Sequence, residues 1–182
     1  MTQNETYRGN RNQLFGENAF LEASVACLDI PHVELDALYW GPDWTPRPTE
    51  ELRMLVNQAT AAPQWVSDGN YSSVRDVVWK RADTLVWLNY SYPIVFSRAL
   101  RRTLTRCITQ EKLYADNQES FYNAFLARDS FLLWVFRSYW QHRREYPVLF
   151  QSPEWSHLSV IQLKNTSDAE RFLATQRRVI NG

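Results

Sequence analysis

Two carboxylates and a run of arginines are the side chains that type and spacing best equip for chemistry. Asp36 follows the short apolar run HVEL, and Asp68 follows QWVS. Carboxylates just beyond neighbouring strands can hold a hydrated magnesium ion or orient an acceptor hydroxyl. An isolated aspartate more often caps a helix or closes a turn. Arg98 and Arg102, four apart in SRALRR, share a helix face that Arg101 and Arg106 extend. Such a face can clamp phosphate oxygens in bidentate fashion, although on spacing alone a solvated helix face is as good an account. Arg137, Arg143 and Arg144 interleave with aromatics in RSYWQHRREY, as at single-stranded nucleic-acid surfaces. Helical periodicity explains the same mixture. Arg128 stands alone in LARDS.

These residues belong to a chain of 182 residues, 45% hydrophobic, the size of one domain with a real core. Twenty basic and twenty acidic side chains cancel, so no global field draws the protein to nucleic acid or an anionic membrane. The apolar runs are strand-sized, too short to span a bilayer, and MTQNETYRGNRNQ has no signal-peptide core, which places the chain in the cytoplasm. Cys27 and Cys107 lack metal or redox spacing and read as reduced. His32, His142 and His157 form no triad or metal pattern, and most of the eight tryptophans read as core.

The elements that must position Asp36, Asp68 and the arginines alternate between strand and helix. IPHVEL precedes a proline-rich loop and a helical pattern from Glu50 to Ala61; QWVSDGN ends a strand on a polar turn, and a short helical piece runs from Ser73 to Trp79. DTLVWLNY is a buried strand, and YPIVFSRALRRTLTR begins a helix with proline near its first turn. LSVIQLKN and SDAERFLATQRR close the chain as strand and helix, with Ser167 and Glu170 spaced as a capping box. The alternation predicts an α/β fold with a mostly parallel sheet. Before Ile30, no β-type run supplies the first strand.

The blocks IPHVELDALYWGPDW, WVSDGNYSSVRDVVW, RADTLVWLNYSYPIVFSRALRRTLTR and ARDSFLLWVFR, in that order, resemble the bacterial P-loop kinases labelled DNA topology modulation protein or adenylate kinase-like protein. The resemblance implies a P-loop NTPase fold of the nucleoside monophosphate kinase kind over residues 30–182, with a lid region around 103–146. It implies ATP and Mg2+ as cofactors and phosphoryl transfer to a small acceptor, with a nucleotide as the leading candidate; the cancelling charges and short apolar runs speak against nucleic acid and a membrane as partners. Asp68 would sit near the magnesium water shell and Asp36 would face the acceptor. Arg98 would pack on the base and Arg102 reach phosphate, with Arg128 a further lid arginine. A non-catalytic binding or regulatory protein, in the manner of a pseudokinase and with a DNA-associated role suggested only by the family label, is the alternative.

What the family requires first is a strand running into G-x-x-x-x-G-K-[ST], whose backbone N–H groups, lysine and hydroxyl hold the phosphates and magnesium. The Gly-Lys-Thr falls here on Gly16, Glu17 and Asn18, and the first glycine on Arg11. Glu17 reverses the charge beside a triphosphate, which is repulsive. Residues 1–29 therefore read as an aberrant segment in place of the first strand and phosphate loop. Read one base later, permitted codons for Thr6 to Phe20 spell LIVVIGTNSSGKTLF, a strand with a complete phosphate loop. The segment is then either an out-of-frame stretch that rejoins near Leu28, through a sequence error or a real mutation, or what remains in a pseudokinase that lost its loop, and on both readings the chain as written is expected not to bind ATP in the family's manner.

Overall fold

The computed structural model describes residues 9–11, 31–128 and 130–181, with side chains described over 31–128 and 130–175. Gly16, Glu17 and Asn18 lie outside the described residues. Five short strands, β1 (Gly9–Arg11), β2 (His32–Glu34), β3 (Val66–Asp68), β4 (Thr84–Leu88) and β5 (Ser159–Leu163), form one sheet in the order β2-β3-β1-β4-β5. Every pairing is parallel. Parallel neighbours cannot be joined by hairpins and need crossovers. The helices α1 (Leu35–Tyr39), α2 (Thr49–Ala59), α3 (Arg75–Arg81), α4 (Tyr92–Thr109), α5 (Phe131–Phe150) and α6 (Thr166–Asn181) fill that role or close the chain. The expected mixed α/β architecture is therefore present, with strands at Val33, Val66, Leu85 and Val160 as the sequence predicts.

The expectation that no residue before Ile30 enters the sheet needs correction. Asn10 pairs with Ser67 on one side and Leu85 on the other, and Arg11 with Asp68 and Val86. Gly-Asn-Arg has no strand propensity, but parallel ladders are made by main-chain N–H and C=O groups, which every non-proline residue carries. The slot between β3 and β4 is thus filled by a main-chain ladder.

Alternation along β4 divides the interior. Val86 and Leu88 join Val66, Val95, Ala99, Val135, Tyr139 and Leu163 in one cluster, where α4, α5 and α6 pack. Leu85 and Trp87 join Leu52, Val56, Trp65, Val78, Trp79, Tyr146 and Trp155 in another, on the side of α2 and α3. Period-two alternation sends successive side chains to opposite faces. Trp65, Trp79, Trp87 and Trp155 are buried, whereas Trp134 and Trp140 are exposed on α5, so the tryptophans serve the core only in part. No described helix is long and apolar enough to cross a membrane.

The N-terminal cap of α6 also differs from expectation. Asn165 Oδ1 accepts from the Asp168 N–H at 2.9 Å, while the Asp168 carboxylate accepts from the Lys164 N–H at 2.9 Å. The reciprocal box is built two residues before Ser167, because Asn165 is where the chain leaves the strand and the first free N–H groups appear.

Candidate functional site

Ligands of open parallel sheets gather beyond the carboxyl ends of the strands, where connections diverge to opposite sides. Here that point is the end of β1, since the chain has β3 on one flank and β4 on the other. Glu34 ends β2, and Asp36 sits in the first turn of α1 immediately after it. Asp68 ends β3 and is followed by Gly69, whose φ of +99° turns the chain sharply. A Cβ there would stand 2.8 Å from Leu35 Cβ, so glycine is required both by conformation and by the close approach of α1. That turn delivers Asn70 and Tyr71.

Each carboxylate accepts a hydrogen bond from a side chain elsewhere in the chain. The Tyr71 hydroxyl donates to Asp36 Oδ1 in a short hydrogen bond, and the Tyr114 hydroxyl donates to Glu34 Oε1 at 2.5 Å. His32 Nε2 lies 2.9 Å from Asp68 Oδ1. Burial raises the Asp36 pKa above the ordinary carboxylate range; the Tyr71 bond opposes this, Asp68 and Glu34 add to it, and Arg102 opposes it. Tyr71 and Tyr114 are pushed up as well, first by burial and then by their carboxylate partners, and stay protonated donors.

The cations come from α4, which starts at Tyr92 with Pro93 in its first turn. Arg102 lies over the Phe131 ring at 5.9 Å, and its Nε is buried without a hydrogen-bond partner among the described residues. Burial, then Arg106, lowers its pKa, while Glu119 and Asp36 work the other way. Arg106, one turn on, is neutralised by Glu119 at 3.2 Å and reached by Glu111 at 3.8 Å. The structure thus brings Asp36, Asp68 and Arg102 together. Arg98 is held beyond β4 and β5, with its guanidinium 5.2 Å over the Tyr90 ring and Nη2 3.1 Å from Thr166 Oγ1. Arg128 is exposed in a turn, and no hydrogen bond or ion pair among the described residues joins it to the cluster. Among the described residues no group of three His, Cys, Asp or Glu side chains is arranged to hold a metal ion.

Sequence reasoning missed Glu34, His32, Tyr71 and Tyr114. His32 and Glu34 are two apart and flank Val33 in HVEL, so period-two alternation puts them on one face of β2, and Tyr71 directly follows the Asp-Gly-Asn turn. Tyr114 had no local signal, being 80 residues from its partner. The other histidines have structural partners. His157 meets the Trp79 carbonyl at 3.0 Å. His142 meets Asn70 at 3.1 Å and stacks on Tyr146, with its pKa lowered to about 4 chiefly by burial.

No protein-family model matches the chain, and comparison with curated proteins gives no match.

Proposed function

We propose that this chain is a P-loop kinase-like scaffold, related to the kinases labelled DNA topology modulation protein or adenylate kinase-like protein. The acceptor half of its site is built and the donor half is defective. The observation that carries the proposal is the convergence of Asp36, Asp68 and Arg102 at the strand ends beside central β1. Phosphoryl transfer relies on positioning and charge stabilisation more than on covalent chemistry. A carboxylate facing an acceptor and a guanidinium with a spare N–H facing a phosphoryl group are the parts it needs. A nucleotide or other small phosphoryl acceptor is the ligand class on this proposal.

ATP and Mg2+ do not fit the chain as written. β1 ends at Arg11, in register with Asp68, so the stretch that would cradle phosphates begins with an arginine in place of a glycine and carries Glu17 and Asn18 in place of lysine and a hydroxyl residue. Asp68, the expected partner of magnesium through water, already accepts from His32. No transfer step is therefore assigned to the written chain. The same misfit supports the second reading, a non-catalytic binding protein.

Calorimetric titration with Mg-ATP separates the two. The written chain should give no heat of binding, and the chain expressed with the frame of Thr6 to Phe20 shifted by one base should bind. If the shifted chain folds and still does not bind, the kinase proposal fails and the binding-protein reading stands. Mg-ATP binding by the written chain would overturn the assignment of the donor defect.

A further inference from the structure

We infer that two loops beside the site, joined to each other, form an autoinhibitory clasp, held by Asn117, that keeps Tyr114 seated on Glu34 and closes the site until it opens. The loop after α1 (Trp40–Pro46) and the segment after α4 (Lys112–Gln118) come from distant parts of the chain. The amide of Asn117 bridges them in both directions: Oδ1 accepts from the Trp44 N–H at 2.9 Å and Nδ2 donates to the Gly41 carbonyl at 2.8 Å. The Trp44 indole N–H adds a bond to the Gln118 carbonyl at 3.1 Å. Asn117 is buried although its neighbours Asp116 and Gln118 are exposed, so its side chain is spent wholly on the bridge. A buried amide bonded at both its oxygen and its nitrogen fixes geometry, and leaving either partner unpaired is costly.

The same two loops carry unusual backbone conformations. Asp43 and Trp44 have φ of 56° and 54°, and Ala115 and Asp116 have φ of 53° and 61°. The left-handed region is unfavourable for side-chain-bearing residues and persists where surrounding contacts over-determine it. Four of the five non-glycine residues with positive φ among the described residues fall in the clasp. Each loop is closed within itself, by Gly41 N–H to Thr45 O at 2.8 Å and Thr45 N–H to Pro42 O at 3.1 Å in one and by Leu113 N–H to Asn117 O at 2.7 Å and Asn117 N–H to Tyr114 O at 3.1 Å in the other. The two loops are therefore preformed units, and the hydrogen bonds between them among the described residues are those of Asn117 and the Trp44 indole, which opening would break while leaving each turn intact.

What the clasp covers follows from Tyr114, which opens the turn containing Ala115 and Asp116. Its hydroxyl reaches across to Glu34, and its surroundings include Asp36 and Asp68. In the closed state it occupies a carboxylate that an entering ligand would need. That the covered cluster is a ligand site rests on the function proposed above; that the clasp opens and closes over it does not.

The test reads access without any ligand. Carbodiimide with an amine labels carboxylates in proportion to exposure, and peptide mass spectrometry gives the rate at Glu34 and Asp36, with Asp76 and Asp168, far from the clasp, as controls. Asn117→Ala should raise labelling of Glu34 and Asp36 about fivefold or more and leave the controls unchanged. Ala115→Gly relieves strain without removing a side-chain contact and should lower labelling severalfold. Asn117→Asp keeps the acceptor for Trp44 but sets an oxygen against the Gly41 carbonyl, and should act as Asn117→Ala does. Equal rates in all variants, or an equal rise at the controls, would overturn the inference. So would failure of both Asn117 variants to fold, since a clasp that opens cannot be required for folding.

Discussion

Removing the Asp36 charge should stabilise the protein at neutral pH. Asp36→Asn keeps the shape and still accepts the Tyr71 hydroxyl, but it removes a carboxylate whose pKa is raised first by burial and then by Asp68 and Glu34. A group with a folded pKa above its unfolded value favours folding fully below the unfolded value. That contribution is lost as pH rises through the folded one. At neutral pH the wild-type carboxylate is therefore a net cost. Against the gain from removing it stand a weaker bond from Tyr71, since hydrogen bonds to charged groups exceed neutral ones by about 1 kcal/mol, and the lost attraction to Arg102. Burial outranks both in setting the direction of the shift, so a net gain of about 1 kcal/mol is expected, about 2–4 °C in Tm for a domain of this size. Thermal unfolding of both proteins from pH 4 to pH 8 checks it. The advantage of Asp36→Asn should be largest at pH 8 and should shrink toward pH 4 as the wild-type carboxylate takes up its proton. A variant less stable than wild type at pH 8, or an advantage independent of pH, would refute the claim that desolvation dominates at Asp36.

Three other changes test the scaffold by thermal or denaturant unfolding. Gly69→Ala combines a positive φ with a Cβ 2.8 Å from Leu35 Cβ and should cost about 3 kcal/mol; the displaced Leu35 adjoins Asp36, so the site should loosen too. Trp79→Ala empties the centre of an aromatic cluster that includes Trp155 at 5.3 Å and Phe150 at 6.0 Å, and should cost about 3–5 kcal/mol. Asn165→Ala removes the side-chain acceptor for Asp168 N–H and should cost about 1 kcal/mol, whereas Ser167→Ala should cost almost nothing.

The strands at Val33, Val66, Leu85 and Val160 were legible because each is a short apolar run bounded by turn residues, and Pro93 and the Arg98–Arg102 spacing marked α4. The place of Asp36 and Asp68 at the carboxyl ends of neighbouring parallel strands was legible from the short apolar runs before them, and that is where ligands of such sheets gather. The long-range partners around them were not. Tyr114 reaches Glu34 across 80 residues, and Asn117 reaches Trp44 and Gly41 across 73 and 76, and no periodicity encodes contacts of that kind. The contacts of Arg98 were hidden for a related reason: helical spacing puts it on the face of Arg102, but not the Tyr90 ring and Thr166 against its guanidinium. Spacing fixes a face and not the far end of a long side chain.

β1 shows what a sheet can obtain from residues that do not prefer it, and what it cannot. Its ladder needs only main-chain groups, so Gly9, Asn10 and Arg11 close the gap between β3 and β4. The position of Asn10, however, lies between Ser67 and Leu85, both buried, and central parallel strands are ordinarily runs of Val, Ile and Leu. The shifted frame writes Val and Ile at positions 9 and 10 and places glycine at 11, where the strand gives way to the phosphate loop. The codons of that reading are a choice among permitted ones, so its agreement with the ladder at Gly9–Arg11 makes a displaced frame a consistent proposal beside that of a pseudokinase that lost its loop. The nucleotide sequence for Thr6 to Phe20 decides between them: codons that cannot spell the loop in any frame refute the displaced frame outright.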